Sequence, residues 1–429
     1  MKYLPLNQQI FVDNRARFVK KLPANSMAIF HSNDEMPRNG DCFFPYRENS
    51  DFFWMTGIDQ EQSILVVFPD APLNHLKEVL FLRKTNEHIA IWEGHKFTKE
   101  EAIAASGIQN VYWLEDFESF EKTIMHHCEN VFVNSNENDR AVTDFWDRNL
   151  RKFNELKTKY PLHQYHRAAP ILADLRAVKS DLEIEVIQHA CDITEKTFRR
   201  VLGFVKPGVM EYEVEAEIIH EFTRNRANGH AYSPIVASGK NACCLHYTDN
   251  NTECKEGDLL LMDFGSEYGN YASDLTRTIP VSGKFTDRQK DVYNAVLRVM
   301  KKATAMLVPG TILDEYHVEV GNLMEAELIG LGLLDAEAVK NQDPKKPLYK
   351  KYFMHGTSHF MGLDVHDVGD RYQPMKAGMV FTCEPGIYIP EEKMGIRIEN
   401  DILITDNGPV DLMANIPIEV EEIEALMNA

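Results

Sequence analysis

The chain has 429 residues, of which 44% are hydrophobic and 26% charged, and its formal net charge is −20. These values are typical of a globular protein of two or three domains, and the acidic balance disfavours nucleic acid and anionic membranes as partners. The first residues lack the basic and apolar regions of a signal peptide, and no stretch approaches the roughly 18 apolar residues of a membrane helix.

The N-terminal part alternates short apolar runs with polar segments of helical character. The apolar runs predict strands at 27–32, 63–70, 78–84 and 130–135, and the polar segments predict helices at 99–107 and around 141–157. Strands that alternate with helices are typical of an α/β domain. A charged segment at 154–170 ends in a proline and predicts the domain boundary. We therefore expect an α/β domain over 1–172 and a second domain over 173–429.

The second part opens with a well-marked helix. Ser180 is a good N-cap residue, and Glu183 stands three residues later, which together predict a capping box. Apolar residues then follow at helical spacing. The helix is predicted to stop before Pro207 and Gly208, and a second amphipathic helix follows at about 212–226.

This helical pattern recurs further along the chain. Thr286 and Gln289 predict another capping box, and the helix that follows is predicted to stop before Pro309 and Gly310. Self-similarity of this kind indicates an internal repeat.

The strand segments repeat as well. In both copies an acid follows a lysine by eight residues, a glycine stands two residues after the acid, and a histidine precedes the acid by 17 or 18 residues. A second carboxylate then follows on the next predicted strand. The matched pairs are Lys255 and Lys376, Asp263 and Glu384, Gly265 and Gly386, His246 and His366, and Asp274 and Glu399. The second part is thus predicted to consist of two related α-β halves that face each other.

The four repeated acids interrupt strongly apolar strands. A buried charged carboxylate is costly, and four converging carboxylates repel one another and raise each other's pKa. Bound divalent cations would offset both the cost of burying the carboxylates and their mutual repulsion. The alternative is that some of these acids are exposed strand ends. His359 offers a nitrogen ligand, and its surroundings lack HExxH spacing. Such an oxygen-rich set suits Mn, Co, Fe or Zn, and a metal pair favours hydrolysis.

At these positions the sequence resembles the creatinase/aminopeptidase "pita-bread" family, and it is most similar to the aminopeptidase P branch. The likeness covers essentially 175–405 and extends more weakly to the N-terminal part. The segments that carry it are MDFGSEYGNYASDLTRT (262–278), HGTSHFMGLDVHDVG (355–369), EPGIYIP (384–390), GIRIEND (395–401) and, less specifically, RENSDFFWMTGI (47–58) and AIWEGHKF (90–97).

The resemblance implies an α/β N-terminal domain followed by an α+β pita-bread catalytic domain with an internal pseudo-two-fold repeat. It also implies two divalent metal ions per chain. Manganese is the usual metal of the family, and cobalt, zinc or iron are alternatives. The implied ligands are Asp263, Asp274, His359, Glu384 and Glu399, and none of them is substituted here.

The implied activity is release of the N-terminal residue from peptides with proline in second position, by attack of a metal-bridging hydroxide. Glu384 is expected to carry a proton to the leaving proline nitrogen. His246 and His366 are expected to hydrogen-bond the scissile carbonyl and its oxyanion. His355 matches a pocket histidine on the proline side, and Arg397 matches an arginine beside the metals.

Trp92 matches a segment through which, in the family, one subunit reaches the active site of another. IWEGHK departs from the usual motif, and the alternative is an ordinary core aromatic. The family also suggests a homodimer or homotetramer. The seven cysteines, an odd number without CxxC spacing, favour a reduced, cytoplasmic protein.

Two other functions remain open from the sequence. The first is an Xaa-Pro dipeptidase with the same fold and metal cage. The second, from a different class, is a non-catalytic pita-bread protein that binds partners, although such proteins typically lose metal ligands. Creatine hydrolysis and methionine removal also occur in the family, but the long N-terminal part disfavours a minimal methionine aminopeptidase.

Overall fold

The structure is a computed structural model that describes residues 2–138, 140–141 and 145–429. The chain folds into two compact units: unit 1 comprises residues 5–176, and unit 2 comprises residues 177–429 with residues 2–4. The boundary expected between 172 and 173 lies inside a helix, Ala169–Ala177, and the division falls near the end of that helix.

Unit 1 is built on a six-stranded mixed sheet. The strands are β1 Ser26–His31, β2 Pro37–Asn39, β3 Cys42–Phe43, β4 Ile64–Val67, β5 Glu78–Leu82, β6 Asn110–Trp113, β7 Asn130–Val133 and β8 Gln164–Arg167. The helices are α1 Gln9–Val19, α2 Ser50–Thr56, α3 Glu87–Glu93, α4 Lys99–Ser106, α5 Phe117–Met125, α6 Arg148–Lys159 and α7 Ala169–Ala177. The sheet order is β6-β5-β4-β1-β7-β8, and β2 with β3 forms a separate hairpin.

The four strands predicted for this unit are present, because their apolar runs form the buried centre of the sheet. All six residues of β1 are buried, and β1 pairs antiparallel with β4 and parallel with β7. The helix predicted around 141–157 is observed as α6, and residues 142–144 of that prediction lie outside the described residues. Segment 154–170, which the sequence suggested as a boundary, contains β8 and belongs to unit 1, because β8 pairs with β7 at the edge of the sheet.

Unit 2 combines long helices with small antiparallel sheets. Its helices are α8 Asp181–Leu202, α9 Glu211–Arg224, α10 Asp287–Ala305, α11 Leu313–Gly330, α12 Ala336–Lys340 and α13 Val420–Met427. Its strands are β9 Gly229–His230, β10 Ile235–Ser238, β11 Leu259–Asp263, β12 Ser266–Tyr268, β13 Tyr271–Ala272, β14 Thr276–Pro280, β15 Val380–Cys383, β16 Gly386–Ile389, β17 Met394–Arg397, β18 Asn400–Thr405 and β19 Gly408–Asp411.

The two halves of unit 2 repeat one arrangement of elements. The helices α8 and α9 precede the three-stranded sheet β10-β11-β14, and α10 and α11 precede the three-stranded sheet β15-β18-β19. The glycine between the helices has φ of 93° at Gly208 and 95° at Gly310, and the glycine before the strand that leads to the first acid, β11 or β15, has φ of 85° at Gly257 and 88° at Gly378. Because only glycine adopts such angles without strain, the repeated glycines mark equivalent turns.

Both predicted capping boxes are confirmed. Ser180 Oγ accepts from the Glu183 backbone N–H, and the Glu183 carboxylate accepts from the Ser180 N–H at 2.8 Å. Thr286 and Gln289 make the same reciprocal pair at the start of α10. Each box satisfies N–H groups that the first helical turn would otherwise leave without acceptors.

All seven cysteines are free thiols. Within the described ranges, no helix combines the length and apolar character that a membrane crossing requires.

Candidate metal centre

The four repeated acids all lie at strand ends in unit 2. Asp263 is the last residue of β11, and Asp274 precedes β14 by one residue of loop. Glu384 directly follows β15, and Glu399 directly precedes β18. The apolar residues of these strands are buried and anchor the acids, so each half of the repeat supplies one pair of carboxylates.

A close approach beside the acids requires glycine at Gly265 and favours glycine at Gly386. A Cβ on Gly265 would lie 1.7 Å from the carbonyl oxygen of Ser273, directly before the second acid of that half. A Cβ on Gly386 would lie 2.8 Å from the Tyr388 hydroxyl and 3.0 Å from the carbonyl oxygen of Ile396. Each glycine thus lets its two ligand-bearing segments approach closely.

Asp274, His359 and Glu399 form the tightest part of the site. Each offers one potential ligand atom, and these three atoms lie within 4.8 Å of one another. Nε2 of His359 is 3.4 Å from Oδ2 of Asp274 and 3.7 Å from Oε1 of Glu384. Nδ1 of His359 contacts the Phe360 carbonyl oxygen at 3.0 Å, which leaves Nε2 facing the acids. The structure therefore brings four of the five predicted ligands together directly.

The fifth predicted ligand, Asp263, joins them through Tyr232. The Tyr232 hydroxyl lies 2.6 Å from Oδ1 of Asp263 and 2.5 Å from Oδ1 of Asp274. A phenol carries one proton and can donate it to only one of these carboxylates at a time. Tyr232 could not be found from the sequence, because a single tyrosine ahead of a strand carries no distinctive pattern.

Thr276 and Asp401, two residues that were not among the predicted site residues, form hydrogen bonds with Glu399 and Asp274. The Thr276 hydroxyl donates to Oε2 of Glu399 at 2.6 Å. The fully buried Asp401 accepts from the Asp274 backbone N–H at 3.0 Å. Burial and the charge of Asp274 raise the pKa of Asp401 well above its ordinary value. The signal for these positions was present in the motifs, since each stands two residues from a predicted ligand.

Arg397 borders the acids through its hydrogen bonds. Its guanidinium donates to Oδ2 of Asp263 at 2.6 Å, to the Tyr388 hydroxyl at 2.8 Å and to the Thr276 hydroxyl at 3.1 Å. The Tyr388 hydroxyl also lies 2.8 Å from Nε2 of His355. Arg397 is therefore linked to His355 through Tyr388.

The three predicted pocket histidines have different surroundings. Nδ1 of His355 lies 3.8 Å from Oε2 of Glu384, and burial followed by the charge of Arg397 lowers the pKa of His355 to about 3. His366 packs edge-on against His359, with ring centres 4.4 Å apart. His246 is exposed on a loop after β10, and its charge also lowers the pKa of His355.

Crowding of buried acids dominates the electrostatics. Burial raises the pKa of Glu384 to about 7 against the opposing charges of His359 and Arg397. Burial raises the pKa of Glu399 well above its ordinary value, and the neighbouring carboxylates raise it further. Burial lowers the pKa of His359, but its hydrogen bond with Asp274 and the charge of Glu384 prevail and raise that pKa to about 9.

These observations fit a divalent metal site. Buried carboxylates with raised pKa values are held in their charged form by nearby cations. Arg397 pairs with Asp263, and His359 lies beside both Asp274 and Glu384, so two cationic side chains face four carboxylates. The Tyr232 hydroxyl can donate its proton to only one of the two carboxylates that it contacts. The other carboxylate oxygen therefore requires a proton or a cation beside it. Four carboxylates and one imidazole are a donor set suited to first-row divalent ions.

Trp92 lies in unit 1, on α3, and 78% of its surface is exposed. The alternative interpretation, an ordinary core aromatic, is therefore excluded. Ile91 beside it is 77% exposed, so this helix presents an apolar surface.

Comparisons with known proteins cover nearly the whole chain. Residues 185–406 match the family described as metallopeptidase family M24, and residues 11–132 match the N-terminal domain of aminopeptidase P. The chain is 36% identical to the Xaa-Pro aminopeptidase of Escherichia coli over 99% of this chain and 98% of that protein. It is 31% identical to human Xaa-Pro aminopeptidase 3 over 92% of this chain and 79% of that protein.

The folds agree as well. The zinc-substituted aminopeptidase P of Escherichia coli, solved in complex with product, superposes with a TM-score of 0.88 at 34% identity and covers 99% of both chains. The α/β N-terminal domain and the pita-bread second domain predicted from the sequence are therefore confirmed.

Proposed function

The chain belongs to metallopeptidase family M24 and is a hydrolase, and we propose that it releases the N-terminal residue from peptides with proline in second position. The convergence of Asp263, Asp274, His359, Glu384 and Glu399 in one buried site carries this proposal. Relatives named for the same activity, matched over nearly their full length, support it.

We propose that these five residues hold two divalent metal ions, with manganese as the first candidate. Divalent metal ions held by these residues would lower the pKa of water at the site and polarise the scissile carbonyl. The protein contributes the fixed geometry of the four carboxylates and a single imidazole. Tyr232 and Thr276 orient the ligand oxygens through hydrogen bonds, a common role for residues behind a metal site.

Glu384 is the proposed proton carrier. Its Oε1 lies 3.7 Å from Nε2 of His359, on the side of the other proposed ligands, and its Oε2 lies 3.8 Å from Nδ1 of His355, so the carboxylate can exchange a proton with a group beside His355. The leaving group is the nitrogen of proline, which departs only after protonation. Since Oε2 of Glu384 faces His355, the carboxylate and that histidine together border the place where this nitrogen would lie.

His246 and His366 are proposed to hydrogen-bond the scissile carbonyl oxygen as it gains negative charge. Arg397 is a fixed positive charge that holds Asp263 and, through Tyr388, His355. It thereby positions groups on both sides of the site.

We further propose a cytoplasmic homo-oligomer in which Trp92 of one subunit lines the active site of another. The exposure of Trp92 and Ile91 supports a contact on this surface, because large apolar side chains are seldom exposed side by side without a partner.

Substrate length and metal content test the proposal. The purified protein is assayed with Xaa-Pro dipeptides and with longer Xaa-Pro-Xaa peptides, before and after chelation and metal return. We expect cleavage of the longer peptides, two metal ions per active chain and recovery of activity on metal addition. Cleavage of dipeptides alone would indicate a dipeptidase, and full activity with fewer than two metal ions per chain would contradict the two-metal scheme.

A further inference from the structure

Glu211 is a fully buried acid outside the metal centre. It is the first residue of α9, and both of its carboxylate oxygens accept hydrogen bonds. A charged carboxylate so deeply buried is costly unless its lone pairs are satisfied. The partners of Glu211 therefore indicate what this acid holds in place.

The partners of Glu211 stand on both sides of His246 in the chain. Ahead of His246, Oε1 accepts from the Ser238 backbone N–H at 2.7 Å and from the Asn241 side chain at 3.1 Å. After His246, Oε2 accepts from the Tyr247 hydroxyl at 2.8 Å and from the Thr252 backbone N–H at 2.8 Å. The Glu211 side chain thus connects the two ends of the loop that contains His246.

A second polar residue shapes the same loop. Asn250 adopts a left-handed conformation with φ of 45°, and its side chain accepts from the Val236 N–H at 2.9 Å and donates to the Pro234 carbonyl at 3.1 Å. These bonds return the chain toward β10. His246 itself stays exposed while the residues around it are anchored.

We propose that Glu211 is a positioning residue that holds His246 toward the reacting carbonyl, acting through the Tyr247 hydroxyl and the two ends of the loop. The inference rests on the proposed role of His246. Tyr247 directly follows His246, so its hydrogen bond to Glu211 restricts the backbone torsions that direct the imidazole. Small displacements of a catalytic group can cost about 100-fold in rate.

A double-mutant cycle tests this inference on the metal-loaded enzyme. Tyr247→Phe removes only the phenolic hydroxyl, and we expect it to lower kcat/KM about ten-fold, mainly through kcat, with little change in Tm. In a His246→Ala background the same change should lower kcat/KM less than about two-fold, because the group it positions is absent. Tyr165→Phe, which removes one phenolic hydrogen bond in unit 1, is the matched control and should leave kcat/KM unchanged.

Glu211→Gln provides a second readout that does not depend on activity. Its amide replaces one acceptor oxygen by a donor, so amide hydrogen exchange should accelerate at Ser238 or at Thr252, whichever N–H faces the new amide group. Equal losses from Tyr247→Phe in both backgrounds, or no loss with His246 present, would overturn the positioning role alone. Normal hydrolysis by His246→Ala would instead overturn the proposed role of His246, and the inference with it.

Discussion

Replacing Glu384 by glutamine should have opposite effects on stability and on activity. The substitution keeps the size of the side chain and removes its charge. In the metal-free protein, burial raises the pKa of Glu384 from 4.5 to about 7. A carboxyl whose folded-state pKa is raised stabilises the fold fully below pH 4.5, and this stabilisation is lost as the pH rises toward 7. Glutamine resembles the protonated form and does not incur that loss.

The size of the effect follows from the two pKa values. Linkage gives an advantage of the glutamine variant of about 1 kcal/mol at pH 5 and about 3 kcal/mol at pH 8. Urea unfolding of the metal-free proteins at both pH values measures this difference. Glu256→Gln, at an exposed position, is the control and should show no such pH dependence.

Activity should move the other way. With metal restored, the loss of a proton carrier lowers kcat by about 10²–10⁴-fold, and the retained stability excludes misfolding as the cause. A glutamine variant that is less stable than the native protein at pH 8 would refute the electrostatic reasoning. Near-normal turnover by the metal-loaded variant would refute the role assigned to Glu384.

Three further outcomes are expected. Tyr232→Phe should weaken metal binding about 10–100-fold in calorimetric titrations, because it removes the hydroxyl that orients two carboxylates; unchanged affinity would contradict that role. Burial lowers the pKa of His31 to about 3, so unit 1 should lose about 2–3 kcal/mol of stability as the pH falls from 7 to 4.5. Urea unfolding at the two pH values measures this loss, and the His31→Leu variant should lose less stability than the native protein. Trp92→Ala should lower kcat/KM without lowering the metal content measured by elemental analysis, whereas an unchanged kcat/KM would argue against a contribution in trans.

The sequence predicted the framework of the site because buried acids stand out among apolar strand residues. Asp263 and Glu384 were visible for this reason, and the repeat supplied their partners. The capping boxes and the strands of unit 1 were likewise predictable, since they depend on neighbours close in the chain.

What the sequence could not predict depends on contacts between distant segments. Tyr232 touches two acids that follow it by 31 and 42 residues, and no local pattern marks such a contact. The place of segment 154–170 in unit 1 could not be predicted, because strand β8 is polar and short and its pairing with β7 at a sheet edge is a tertiary effect. The sequence left two alternatives open for Trp92, a contact with another subunit or a core position, and no local pattern chose between them, since a tryptophan is usually at least partly buried.

The close backbone crossings at Gly265 and Gly386 limit how the cage can adapt. They fix the main chain that carries the carboxylates, so ions of different radius must be accommodated by side-chain torsions and by the loop that carries His359. A frame of this kind would select among divalent ions by ligand geometry, because the raw affinity of such ligands rises along the first-row series whatever the protein. The metal that occupies it in a cell therefore depends on the supply of free ions as well as on the protein.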